Sequence, residues 1–144
     1  MSDTFNNTLD VVRTTPRTYS FTKPFWEATR DKKVMLQYCP QTGQYQFFPR
    51  PVSVFTGKTN LEWREVKGLG EVFTYTVATM ARPPFSGETP FLIATITLDE
   101  GVNMVSNVIN CAVDQIAIGM RVKPAWIPLP DGTNLLVFEP EGEG

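Results

Sequence analysis

The stretch that decides the fold is VMLQYCPQTGQYQFFPRPVSVFTGKTNLEW, residues 34–63. It contains one four-residue frame twice, and a glycine follows each copy, at Gly43 and at Gly57. A zinc ribbon is built on two such turns, with Cys at the first and fourth residue of each, so that four thiolates surround the metal. In this chain the four positions are Cys39, Thr42, Ser53 and Thr56.

Three of these four positions carry hydroxyl groups, which are poor zinc ligands at neutral pH. A single thiol cannot hold the ion. We therefore interpret the stretch as a degenerate zinc ribbon that has lost its zinc, with apolar packing in place of the metal. From spacing alone, two ordinary turns containing Thr-Gly are the alternative. The side chains expected to supply the packing are Phe47, Phe48, Val54, Phe55 and Trp63.

Length and charge limit the classes of protein to which the chain can belong. Its 144 residues suit one domain, or one domain with a small module. The net charge of −2 argues against a bulk electrostatic affinity for nucleic acid or for an anionic membrane. With two cysteines, no membrane-length apolar run and no secretory signal, the sequence predicts a cytoplasmic protein.

The chain contains no histidine. This excludes a Ser-His-Asp triad, a Cys-His dyad and every metal site that needs imidazole. A free-standing enzyme would have to use Cys39 or Cys111 as its nucleophile, without a histidine to activate the thiol. The composition therefore favours a role without catalysis.

Two elements are expected before the ribbon. Residues 1–19 are polar, and residues 1–22 are predicted to form a flexible N-terminal arm. A short helix is predicted over 23–32, with Thr22 as its N-cap and proline in its first turn. Phe25 and Trp26 point about 100° apart on such a helix. One of them is expected to anchor the helix while the other stays partly open, and packing of both is the alternative.

The rest of the chain is predicted to be β-structure. Three strands belong to the ribbon, and five strands after Gly68 fit an OB-type barrel. The predicted domains are the arm at 1–22, the helix and ribbon at 23–67 and the OB-fold at 68–144. The predicted strands are 34–38, 45–48, 61–66, 71–80, 91–98, 102–109, 121–127 and 134–139.

Several short motifs occur in a fixed order between residues 23 and 140. They are PFWE at 24–27, LQYC at 36–39, FPRPV at 48–52, LEW at 61–63, GEVFTYTV at 70–77, LDEG at 98–101 and IGMRV at 118–122. In this order they resemble the domain-of-unknown-function-35 family, which joins an N-terminal helix, a rubredoxin-like zinc ribbon and an OB-fold described as acyl-CoA-associated. The departure lies at Thr42, Ser53 and Thr56, where the family commonly has Cys.

The resemblance implies a non-catalytic accessory subunit. Such a subunit docks a thiolase-like acyltransferase or aldolase, or a hydratase-type enzyme, and helps to form the site for acyl-CoA or an acyl group. No catalytic residue and no cofactor are expected in this chain, zinc is predicted to be absent, and self-association without the partner is left open. The residues expected to contact the partner or the ligand are Phe25, Trp26, Arg50, Arg82 and Phe85.

A single-stranded nucleic-acid-binding OB module is the alternative from another class. OB-folds bind single strands through a basic groove with stacking aromatic rings. Phe73, Tyr75 and Trp126 could supply the rings, but the charge balance of the chain does not suit the basic groove.

Overall fold

The computed structural model describes residues 13–83 and 85–142, so most of the predicted arm, residues 1–12, lies outside the described residues. The described part is mainly β-structure, as predicted. Its elements are α1 (Lys23–Thr29), β1 (Val34–Cys39), β2 (Gln44–Gln46), β3 (Glu62–Val66), β4 (Gly70–Ala78), one turn of 3-10 helix (Phe85–Glu88), β5 (Phe91–Leu98), β6 (Asn103–Val108), β7 (Arg121–Pro128) and β8 (Asn134–Pro140).

Strands β1 to β3 form the predicted three-stranded sheet. The central strand β1 pairs antiparallel with β2 on one side and with β3 on the other. Its Val34 and Leu36 are buried against the rest of the molecule. The period-two alternation of a strand places both on one face.

Strands β4 to β8 close into a barrel in the order β4-β5-β6-β8-β7. The interior face of β5 carries Leu92, Ala94, Ile96 and Leu98, each at most 2% exposed. These are the residues that the alternating sequence of β5 assigns to one face. Four antiparallel pairings and one parallel contact, between β6 and β8, close the sheet, and the predicted five-stranded OB-type barrel is confirmed.

The helix, the ribbon and the barrel share one apolar core. Phe25 of α1 and Leu36 of β1 lie in the same packed cluster as Val72 of the barrel. Gly68 lies where the two sheets meet, with φ at +75°, and a Cβ there would stand 2.8 Å from a side-chain carbon of Pro124. This close approach requires glycine at the boundary between the two sheets.

Helix α1 is shorter than predicted, whereas Thr22 occupies the N-cap position as predicted. It ends at Thr29 instead of Lys32, because Thr29 is held by hydrogen bonds to β8 and Lys32 turns to a φ of +58°. The Thr22 side chain makes no capping hydrogen bond, since its hydroxyl bonds to the backbone of Tyr19 instead. Within residues 13–83 and 85–142, no helix is long and apolar enough to cross a membrane.

Candidate functional site

The five predicted contact residues fall in different parts of the structure. Trp26 and Phe85 line one cavity of about 430 Å³ between α1, the 3-10 turn and the β7–β8 hairpin. Arg82 lies at the start of that turn, where its carbonyl accepts a hydrogen bond from the Phe85 amide. Arg50 lies in the ribbon, and Phe25 is in the core. The structure therefore brings Trp26 and Phe85 together, and Arg50 is not among the residues that line their cavity.

Phe25 and Trp26 divide their roles as their angular separation predicts. Phe25 is 7% exposed and packs its ring 5.8 Å from that of Phe47, so it anchors the helix to the ribbon. Trp26 is half-buried, and its ring meets Phe25 edge-on at 5.3 Å. A burial this deep makes Phe25 a core residue that supports Trp26, and it gives Phe25 little surface for a partner to contact.

A second cavity, of about 330 Å³, adjoins the first, and both are lined by Arg13 and Phe85. The Arg13 guanidinium lies 5.4 Å above the centre of the Phe85 ring. The floor of this second cavity is the outer surface of the barrel at Ile93 and Val105. We call the two cavities together the barrel groove. It is mostly apolar, with a cation and polar side chains at its border, a composition that small-molecule sites share.

The two frames of the ribbon form matching turns. The Gly43 amide donates to the Cys39 carbonyl, and the Gly57 amide donates to the Ser53 carbonyl, each at 2.8 Å. Gly43 and Gly57 have φ of +71° and +76°. The turns bring their first residues together, since the Ser53 hydroxyl donates to the Cys39 sulfur at 3.3 Å. This is the arrangement expected of two zinc-ribbon knuckles.

The residues at these turns do not fit a zinc ion. Zinc needs about four thiolate, imidazole or carboxylate donors, and the turns supply one thiol and three hydroxyl groups. Among the described residues, no group of three or more His, Cys, Asp or Glu side chains could hold a metal. The hydrogen bond from Ser53, supported by the Thr42 hydroxyl and nearby amides, lowers the pKa of the Cys39 thiol to about 7. The absence of zinc itself stays a prediction.

Apolar packing does not hold the turn at residues 53–57, which we call the second knuckle, contrary to our expectation. Phe48 is 60% exposed, Val54 53% and Phe55 41%, while Phe47 and Trp63 alone of the five pack against the core. Surface this exposed contributes little to folding, because the stabilisation is proportional to the apolar area removed from water.

A pair of buried glutamines holds the second knuckle instead. The Gln37 amide binds both backbone groups of Arg50, donating to its carbonyl and accepting from its N–H at 2.8 Å each. The Gln46 amide donates to Gln37 and to the Val52 carbonyl and accepts from the Val54 N–H. Both glutamines are less than 5% exposed. The sequence analysis did not identify these two glutamines. The signal that could have identified them is a glutamine at a buried position on each of two paired strands.

Comparison with known proteins agrees with this architecture. Residues 63–127 match the family model of the ChsH2 C-terminal OB-fold domain. Over 69 residues, 48% of this chain and 49% of the relative, the sequence is 35% identical to a DUF35 domain-containing scaffold protein of Methanocaldococcus jannaschii. The predicted family resemblance is confirmed.

Other similarities extend over most of the chain. A protein of Thermomonospora curvata named probable enoyl-CoA hydratase alpha subunit is 32% identical over 118 residues, which is 81% of this chain and 36% of that protein. A solved chain of the Ltp2-ChsH2(DUF35) aldolase has a TM-score of 0.77 at 28% identity, covering 88% of this chain and 98% of the other. This chain thus spans 36% of the length of the Thermomonospora curvata protein and 49% of the length of the Methanocaldococcus jannaschii protein.

Proposed function

We propose that this chain is a non-catalytic accessory subunit. It docks a thiolase-like acyltransferase or aldolase and contributes to the binding of an acyl-CoA or acyl group. One observation carries the proposal: the structure superposes on nearly the whole length of a chain of the Ltp2-ChsH2(DUF35) aldolase. The lack of histidine in this sequence supports a division of labour in which the partner supplies the catalytic groups. The cytoplasm is the compartment that we propose for this complex.

The barrel groove is the part of the chain that suits the ligand. Its walls of Trp26, Phe85 and Ile93 offer apolar contact to an acyl chain or to a pantetheine arm. Arg82, exposed beside the same turn, offers a cation for a phosphate or a carboxylate, a contact that charge strengthens.

The test is reconstitution of the complex with a purified thiolase-like partner, followed by steady-state kinetics on acyl-CoA. The isolated chain is expected to show no acyl transfer and no carbon–carbon bond cleavage, while the complex is active. Trp26→Ala or Phe85→Ala is expected to raise the KM for acyl-CoA at least tenfold with little change in complex stoichiometry. Phe73→Ala, which removes an aromatic ring that is 59% exposed elsewhere on the barrel, is the matched control.

Two outcomes contradict the proposal. Turnover of acyl-CoA by the isolated chain, retained after removal of contaminating enzymes, shows that the chain is itself an enzyme. An unchanged KM in both groove variants removes the groove from the ligand site.

The nucleic-acid alternative gains little from the structure. Phe73 and Tyr75 are exposed on β4, as stacking would require. However, β4, β5 and β6 contain no Lys or Arg, and single-strand binding by an OB-fold needs a basic groove. A gel-shift assay with a mixed-sequence single strand is expected to show no complex.

A further inference from the structure

The segment that leads into the second knuckle carries an exposed cation, Arg50. Arg50 is exposed, and within the part of the chain that the structure describes its guanidinium makes no ion pair, hydrogen bond or ring contact. Its backbone, in contrast, is fixed at both the N–H and the carbonyl by Gln37. Pro49 and Pro51 on either side restrict the backbone further. The charge is therefore held on a rigid support.

Exposed apolar side chains surround this cation along the chain. Phe48, Val54 and Phe55 are 41–60% exposed. The glutamine pair binds the backbone at residues 50, 52 and 54, so these side chains project from one firmly held segment. Phe48, Arg50, Val54 and Phe55 together with Lys58 are called the knuckle surface below.

The charge along this segment of the chain has one sign. Between residues 34 and 61, Arg50 and Lys58 are the only charged side chains, in a chain whose net charge is −2. Large aromatic residues and arginine on a preorganised surface are typical of the anchors of protein interfaces. A surface of this composition complements an apolar hollow bordered by carboxylates.

We propose that the knuckle surface is the docking site for the partner enzyme. Phe48 and Phe55 enter an apolar hollow of the partner, and Arg50 pairs with a carboxylate at its border. The identity of this partner as a thiolase-like enzyme rests on the function proposed above, whereas the location and chemistry of the surface rest on the ribbon alone. The glutamine pair acts as a positioning element, because it fixes the backbone that carries Arg50 before the partner binds.

The test measures the affinity of the purified chain for the purified thiolase-like partner by calorimetry. Arg50→Glu and Phe55→Ser are each expected to raise the Kd about 30-fold, the change that corresponds to an interface hot spot. Lys67→Glu makes the same charge change at an exposed site beyond β3, and Ile118→Ser removes an exposed apolar side chain from the barrel connector. Both controls are expected to stay within threefold of the unmodified chain.

Each outcome decides something. Full affinity in both knuckle variants, with circular dichroism unchanged, overturns the surface and leaves the proposed function intact. Failure of the unmodified chain to bind any thiolase-like enzyme overturns both. If Arg50→Glu leaves partner affinity intact but raises the KM for acyl-CoA, the arginine binds the ligand and the proposal is wrong. If it instead abolishes self-association measured by analytical ultracentrifugation, a second copy of the chain is the occupant.

Discussion

Cys39 and Cys111 differ in their surroundings although both are buried. The Cys39 sulfur accepts a hydrogen bond from Ser53, and this bond, with help from Thr42, lowers the pKa of the thiol to about 7. Burial, and then the charge of Asp114, raises the pKa of Cys111 above its ordinary value. The two thiols should therefore titrate in separate steps, with Cys39 first.

This difference makes a prediction about pH. In a Cys111→Ala chain, the ultraviolet absorbance of the thiolate is expected to rise with a midpoint near pH 7, and Ser53→Ala is expected to move the midpoint upward. Because the pKa in the folded state lies below the ordinary value of 9.0, thiolate formation favours the folded state. This stabilisation is lost as the pH falls through about 7, and it is complete only above 9.0. A midpoint near 9.0 with Ser53 intact would contradict the assignment.

The glutamine pair gives a prediction about stability. Gln37→Leu leaves the backbone N–H and carbonyl of Arg50 without a partner and removes one contact of Gln46. Each buried group left unsatisfied costs about 1–3 kcal/mol, so we expect a loss of about 2–4 kcal/mol in urea denaturation. Gln44→Leu alters the same residue type at an exposed position of β2, and it should change stability by less than about 0.5 kcal/mol. Equal effects of the two substitutions would show that the network is not what holds the knuckle.

At the residue scale, the sequence predicts much less of the ribbon interior than of the barrel interior. Leu92 and Ile96 were predictable because apolar side chains alternate along β5 and only one face can be buried. Gln37 and Gln46 were not, because a glutamine is usually exposed and nothing in local spacing shows that its amide will meet the backbone of a distant turn. For the same reason Phe55 was wrongly assigned to the interior.

At the element scale, the ribbon has two matching turns, and the four positions that a zinc ribbon would use for its ligands contain one thiol. We predict that the purified protein contains no stoichiometric zinc and that a chelator leaves its Tm unchanged, because hydrogen bonds from Gln37, Gln46 and Ser53 hold the turns. Elemental analysis by mass spectrometry checks the metal, and calorimetry with and without chelator checks the Tm. About one zinc per chain, or a fall in Tm on chelation, would mean that ligands other than those described complete a site.

Besides the shared apolar core, two buried hydrogen bonds between Thr29 and Asn134 attach helix α1 to the barrel. The Thr29 hydroxyl accepts from the Asn134 N–H at 3.1 Å, and the Thr29 carbonyl accepts from the Asn134 side chain at 2.8 Å. Thr29→Val keeps the shape but leaves a buried N–H unpaired, so we expect a loss of about 1–3 kcal/mol in chemical denaturation. Thr59→Val, at an exposed position, is the control and should have little effect. If Thr29→Val leaves the free energy of unfolding unchanged, apolar packing alone docks the helix.

The existence and order of the elements were predictable, but their ends were not. The strand pattern gave all eight strands, since β-branched and aromatic residues alternate between turn signals. The helix end depends on a contact between Thr29 and Asn134, which lie 105 residues apart. No local signal near Lys32 reports such a contact.

At the scale of the whole molecule, the predicted boundary at Gly68 lies between two sheets that share one core. We therefore predict that the helix, ribbon and barrel unfold in a single transition. Two chains, one with Trp63 as the only tryptophan and one with Trp126, should give the same denaturant midpoint by fluorescence. Circular dichroism of both chains before denaturation controls for damage by the substitutions. Midpoints that differ beyond experimental error would show that ribbon and barrel are independent.

The contact between β6 and β8 closes the barrel with little backbone pairing. Its ladder has one residue pair, Val108 with Phe138, supported by the Ile109 amide on the Phe138 carbonyl and by the Ser106 hydroxyl on the Leu136 carbonyl. Sub-global opening follows the regions with the fewest stabilising contacts. The barrel is therefore expected to open between β6 and β8 before it opens elsewhere. Amide hydrogens at this contact should then exchange with heavy water faster than those between β4 and β5. Local opening of the barrel would then occur preferentially at one strand pair, because the other strands stay joined by longer ladders.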